Sequence, residues 1–116
     1  KLCEKVAPLG ERLKQKLIDA LGKHPLVAEI RGKGLLIGIE IVKDKENLIS
    51  FEEKDQITDK VVKKGIEKGV LLYPGGTGEC RDIICLGPPY IIGEEEIDLI
   101  TETLSEVLDY IQAEYN

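Results

Sequence analysis

From Leu35 to Val42 the chain reads as a strand with two different sides. Leu35, Ile37, Ile39 and Ile41 fall on one side, and Leu36, Gly38, Glu40 and Val42 on the other. Successive side chains of a strand point to opposite faces, so four aliphatics share one face and need cover. Just before this run stands Gly32-Lys33-Gly34, and before that the short extended stretch Val27 to Arg31. A tight glycine turn between two extended stretches makes a hairpin, and a hairpin is antiparallel. The chain must therefore build an antiparallel sheet and supply something apolar to lay on it.

Helical stripes supply the cover. Leu2, Val6, Leu9, Leu13, Leu17 and Leu21 recur at steps of three or four, one face of a helix. Pro8 lies inside this pattern and predicts a kink or a restart. Gly22 reads as the C-terminal cap, with Lys23 beside it and His24 as a solvated cap. Lys43 to Ile49 is polar and reads as a loop. Ser50-Phe51-Glu52-Glu53 has capping-box spacing, which predicts a helix starting there, with Ile57, Val61, Val62 and Ile66 as its apolar face and Gly69 as its end. Val70 to Tyr73 is a third strand, Pro74 to Gly78 a glycine-rich loop, and Asp82 to Leu86 a fourth strand stopped by Gly87-Pro88-Pro89. A last helix opens on Glu94, Glu95 and Glu96, which suit the positive helix end, and carries Ile97, Ile100, Leu104, Val107, Leu108 and Ile111. The expected class is α+β: a small, mainly antiparallel sheet of about four strands under three helices, with residues 1–116 as one domain.

Composition excludes several roles. Net charge is −6, and the lysines are interleaved with Glu and Asp. Nucleic acid and anionic membranes both call for clustered cations, so neither is an expected partner. No apolar run approaches a membrane span. The three cysteines, Cys3, Cys80 and Cys85, match no zinc spacing and read as reduced thiols of a cytoplasmic protein. No metal site is expected.

Three strings then stand out. They are Val27-Ala28-Glu29-Ile30-Arg31-Gly32-Lys33-Gly34-Leu35-Leu36-Ile37-Gly38-Ile39-Glu40, Gly69-Val70-Leu71-Leu72-Tyr73-Pro74-Gly75-Gly76, and Asp82-Ile83-Ile84-Cys85-Leu86-Gly87-Pro88-Pro89-Tyr90-Ile91-Ile92. In this order and spacing they resemble the C-terminal small domain of the class-III aminotransferases, the ornithine, 4-aminobutyrate and ω-amino group of fold-type-I pyridoxal-phosphate enzymes. The resemblance covers essentially the whole chain. It implies a function in moving an amino group between an amine or amino acid and a keto acid, as one wall of the substrate site. It implies a homodimer when full length, and a large cofactor-binding domain in the same polypeptide. That domain carries the cofactor lysine, the aspartate on the pyridine nitrogen and the phosphate loop. No catalytic or cofactor-binding residue maps onto this chain, so alone it is expected to be inactive and to bind no pyridoxal phosphate.

The resemblance also marks substrate-side residues. Cys85 stands where several members place an arginine that grips a carboxylate, and a thiol cannot donate that bidentate pair. Arg81 resembles the mobile arginine of some ω-transaminases, offset by a few positions. Pro88, with Pro89, would fix a rigid exit from the strand beside the substrate. Plainer readings stand next to these. Arg81 is equally a solvated loop arginine, and Cys85 a small hydrophobe on a buried strand. Gly75-Gly76-Thr77-Gly78 lacks the lysine and helix of a nucleotide loop. A stand-alone α+β ligand-binding or regulatory module is the alternative to the enzyme.

Overall fold

The computed structural model describes residues 2–33, 36–70, 72–75, 82–86 and 94–115, without the side chains of Leu2, Cys3, Lys5, Val6, Lys33 and Glu53. Its elements run α1 (Leu2–Leu21), β1 (Val27–Lys33), β2 (Leu36–Ile41), α2 (Ile57–Glu67), β3 (Tyr73–Gly75), β4 (Ile83–Leu86) and α3 (Glu94–Tyr115). The strands form one antiparallel sheet in the order β1-β2-β4-β3. This is the α+β arrangement that the sequence implies.

The alternation in β2 is realised. Ile37, Ile39 and Ile41 are buried and join Ile84 and Leu86 of β4 on one face. The helices cover that face with Leu13, Leu17 and Leu21 from α1, Ile57 and Val61 from α2, and Ile97, Leu104, Val107, Leu108 and Ile111 from α3. Leu35 and Gly34 lie outside the described residues. Gly32 has φ +158°, and a Cβ there would overlap the backbone of Leu36 and Ile37, so the hairpin needs a residue without one.

Several local expectations differ from the structure. α1 runs through Pro8 as one helix without a restart. Pro8 forfeits a single bond, to Glu4, near the helix start, and the three fully buried leucines downstream hold the rest. α2 begins at Ile57 rather than at Ser50, after a 3-10 turn over Glu53–Asp55. Phe51 is buried and meets the Tyr115 ring edge-on at 5.2 Å, while the Asp55 carboxylate accepts the Glu52 N–H at 3.2 Å. Those contacts hold residues 50–55 out of the helix. Ile66, expected on the apolar face of α2, is exposed.

The third strand is shifted as well. Val70 and Leu72 are buried, but the Val70 N–H bonds back to the Gly65 carbonyl at 2.7 Å, so Val70 closes the turn leaving α2. Pairing with β4 starts only at Tyr73 and takes in Pro74 and Gly75. Proline is tolerated there because β3 is an edge strand. His24 is not solvated. Its Nδ1 accepts the Leu26 N–H at 3.1 Å, which places the neutral ring's hydrogen on Nε2, facing Asp109 at 2.9 Å.

Candidate functional site

Among the described residues no helix packs on the second face of the sheet. The strand registers lay out its side chains rung by rung. Gly38, Cys85 and Tyr73 share one rung across β2, β4 and β3, and Glu40, Ile83 and Gly75 share the next. On β1, Arg31 stands opposite Gly38 and Glu29 opposite Glu40. Cys85, a substrate-side candidate from the sequence, thus sits near the middle of the open face, half-buried and free of disulfide. Arg81 and Pro88, the other two candidates, lie outside the described residues, as do Gly76, Thr77 and Gly78.

The centre of this face is lined with small groups. A Cβ on Gly75 would overlap Cys85 Sγ and would stand 3.3 Å from both the carbonyl oxygen and Cγ2 of Ile83. A Cβ on Gly38 would reach Ile83 Cγ2 at 3.6 Å. Ile83 therefore lies between two glycines and is 9% exposed without a helix above it. Leu36 and Tyr73 stand higher on either side, 69% and 61% exposed.

The β1 side is charged. Arg31 Nη1 donates to Glu29 at 3.0 Å and to Glu40 at 3.3 Å. The bond to Glu40 comes first among the causes that raise the guanidinium pKa above its ordinary value, followed by the charge of Glu29. One cation against two carboxylates leaves this triad with an excess negative charge. The described part of the face therefore offers a thiol, which cannot donate a bidentate pair, and an arginine already held by Glu29 and Glu40, so neither is free to grip a substrate carboxylate.

One residue that sequence reasoning passed over shapes this site. Asp82 was expected to open the fourth strand, but it has φ 66° and stands just outside β4. It is buried; its carbonyl accepts the Ile41 N–H at 2.9 Å and its carboxylate accepts the Thr58 hydroxyl at 3.3 Å. Thr58 is in the first turn of α2, whose N-cap Gln56 is left-handed and makes no side-chain cap bond. A carboxylate at that positive helix end is favourable, so Asp82 ties the entry of β4 to α2. The only local signal is that Asp tolerates the left-handed region better than most residues.

Among the described residues no group of three or more His, Cys, Asp or Glu side chains could hold a metal ion, and no helix is long and apolar enough to cross a membrane.

Comparison with known proteins places this architecture. The family model described as aminotransferase class-III matches residues 1–108. An uncharacterised aminotransferase of Schizosaccharomyces pombe is 43% identical over 110 residues, covering 92% of this chain and 24% of its own length. The taurine–pyruvate aminotransferase of Rhodobacter capsulatus is 34% identical over 116 residues, with 97% and 24% covered. Among solved structures, a Bacillus anthracis aminotransferase superposes with TM-score 0.85 at 38% identity, covering 94% of this chain and 24% of that one. The chain thus spans about a quarter of the length of the relatives it matches, and each carries the matched region within a much longer polypeptide. The helix-covered antiparallel sheet and the sequence that builds it belong to the class-III aminotransferase family.

Proposed function

We propose that this chain is the small domain of a pyridoxal-phosphate-dependent transaminase, forming one wall of the site where an amino group passes between an amine or amino acid and a keto acid. The family match over residues 1–108 carries the proposal. The cofactor, when bound, supplies the electron sink for the chemistry. This chain's part is to shape the site and exclude water on closure.

None of the lysines whose side chains are described fits the cofactor, so we assign its lysine to the remainder of the polypeptide. A lysine that carries it needs a dry cleft. The lysines whose side chains are described are exposed or half-buried, and the half-buried ones are engaged. Lys14 and Lys45 donate to the carbonyls of Gly32 and Gly22, Lys16 and Lys64 pair with Asp98 and Glu67, and Lys60 binds Glu114 and Tyr115. The full-length protein would be a cytoplasmic homodimer whose main interface lies in that remainder. The free thiol of Cys85 is in keeping with a reducing compartment.

The test is amine-dependent consumption of pyruvate by the full-length protein loaded with pyridoxal phosphate. No turnover across a broad amine panel would overturn the proposal. Within it, Arg81 supplies the cation for the acceptor carboxylate that Cys85 does not. Arg81→Ala should then lower kcat/KM for pyruvate by about 2–5 kcal/mol and spare an aldehyde acceptor without the carboxylate. Equal losses for both acceptors, or none, would return Arg81 to the solvated loop.

A further inference from the structure

We infer that the cleft between the α1–β1 corner, the hairpin of residues 43–49 and the end of α3 binds a small organic acid with an apolar body about the size of an aryl ring. The cleft has a volume of about 640 Å³. Small-molecule sites span about 300–1,000 Å³. It shares no residue with the open face of the sheet, so the inference stands apart from the transaminase reading. Its floor is apolar. Leu26 and Phe51 are buried, and Phe51 meets the Tyr115 ring edge-on at 5.2 Å. Two rings in that arrangement offer an edge and a face to a third. One wall is the hairpin. The N–H groups of Lys43 and Asp44 both donate to the Ile49 carbonyl, at 2.8 and 3.1 Å, and the Ile49 N–H donates back to Asp44 at 2.9 Å. Leu48 is held at φ 54°, a conformation that persists only where surrounding bonds impose it. The wall is therefore preformed, which spares a ligand the cost of ordering it.

The rim sets the charge of the occupant. Lys23, Lys43 and Lys45 face Asp44 and Glu46 around the cleft, three ammonium groups to two carboxylates in a chain of net charge −6. Lysines near a helix end commonly serve its last carbonyls. Lys45 does so, donating to the Gly22 carbonyl at 2.7 Å. Lys23 and Lys43 are exposed and, among the described residues, neither makes an ion pair or a side-chain hydrogen bond. Lys43 reaches Glu52 only through the longer-range pull of its charge. By contrast Arg12, Lys16, Lys60, Lys64 and Lys68 each hold a carboxylate within 3.3 Å. Asp44 is no partner for the two either. Its carboxylate accepts the Asn47 side-chain amide at 2.8 Å and the Asn47 N–H at 3.2 Å, and those bonds hold its pKa below the ordinary value. Two unmatched cations above an apolar floor call for a carboxylate on an apolar body.

The test uses the full-length protein with 4-phenylbutyrate as the probe and 4-phenylbutanamide as its uncharged control. Acetylation by N-hydroxysuccinimidyl acetate is read lysine by lysine by mass spectrometry. Lys63, exposed on α2 and also outside every ion pair among the described residues, is the internal reference. Acid at about ten times its Kd should slow the acetylation of Lys23 and Lys43 about tenfold and leave Lys63 unchanged. The amide should protect none of the three. In Lys43→Glu the acid concentration that protects Lys23 should rise roughly three- to tenfold, and in Lys63→Glu it should not move. No protection at about 10 mM acid would overturn the inference. So would equal protection by the amide, or an equal slowing of Lys63. Lys23 and Lys43 that react in denaturant but not in buffer would overturn it too, since the remainder of the polypeptide would then fill the cleft.

Discussion

The two faces of β2 are built from neighbouring residues and obey opposite rules. Ile37, Ile39 and Ile41 are large, nearly invisible to solvent, and locked between strands and helices. Leu36, Gly38 and Glu40 alternate with them and meet no helix among the described residues. On the covered face volume is fixed by close packing, so any change is felt. On the open face the constraint is local: Gly75 must lack a side chain because Cys85 and Ile83 already occupy its space. Position in one strand therefore says little about tolerance to substitution until the face is known.

The largest effect should come from the covered face. Ile39 pairs with Ile30 and Ile84 at the sheet centre and is fully buried. Ile39→Ala should cost about 2–5 kcal/mol in chemical denaturation of the chain, the range for emptying a core site. A change within about 0.5 kcal/mol would put Ile39 outside the core and erase the contrast. Next comes the middle of the open face. Gly75→Ala should cost about 1–3 kcal/mol, because the new methyl must displace Cys85 Sγ or the backbone of β4. In a Cys85→Ala background the same substitution should cost less by about 0.5–3 kcal/mol, since the sulfur is gone. A purely additive double-mutant cycle would mean that the two side chains do not compete for one space. The smallest effect belongs to the charged margin. Arg31→Ala should change stability by about 0–1 kcal/mol, as its ion pairs are exposed. A loss as large as that of Ile39→Ala would show that the margin of the open face carries load like the core.

Legibility in the sequence follows the same division. Periodic signals were readable: the alternation of Ile37, Ile39 and Ile41 and the stripe from Ile97 to Ile111 predict their burial because period alone sets the face. Element order and class follow from them. Boundaries decided by distant partners were not readable. The capping-box spacing at Ser50 is genuine, but Phe51 finds Tyr115 across the fold and the helix starts later. Val70 to Tyr73 looks like a strand, yet its ladder partner on β4 begins at Tyr73. The sequence singles out Cys85, and the structure sets it on the open face beside Gly38, Gly75 and Ile83. Asp82 was not legible, because its role depends on Thr58 and on a helix end that lacks its own side-chain cap.

The edges of the sheet have a consequence for how the protein behaves in company. A sheet edge is a row of unused backbone donors and acceptors, and strands of other molecules can add to it. Here one edge is β3, three residues long with Pro74 at its centre, which has no N–H to offer. The other is β1, whose register breaks between Val27 and Glu29 and which carries the exposed Glu29 and Arg31. Neither edge presents a long, flat, apolar template. Both blunt the growth of intermolecular β-structure, so a crowded solution of this protein is guarded against fibrils by a proline and a pair of charges rather than by its core.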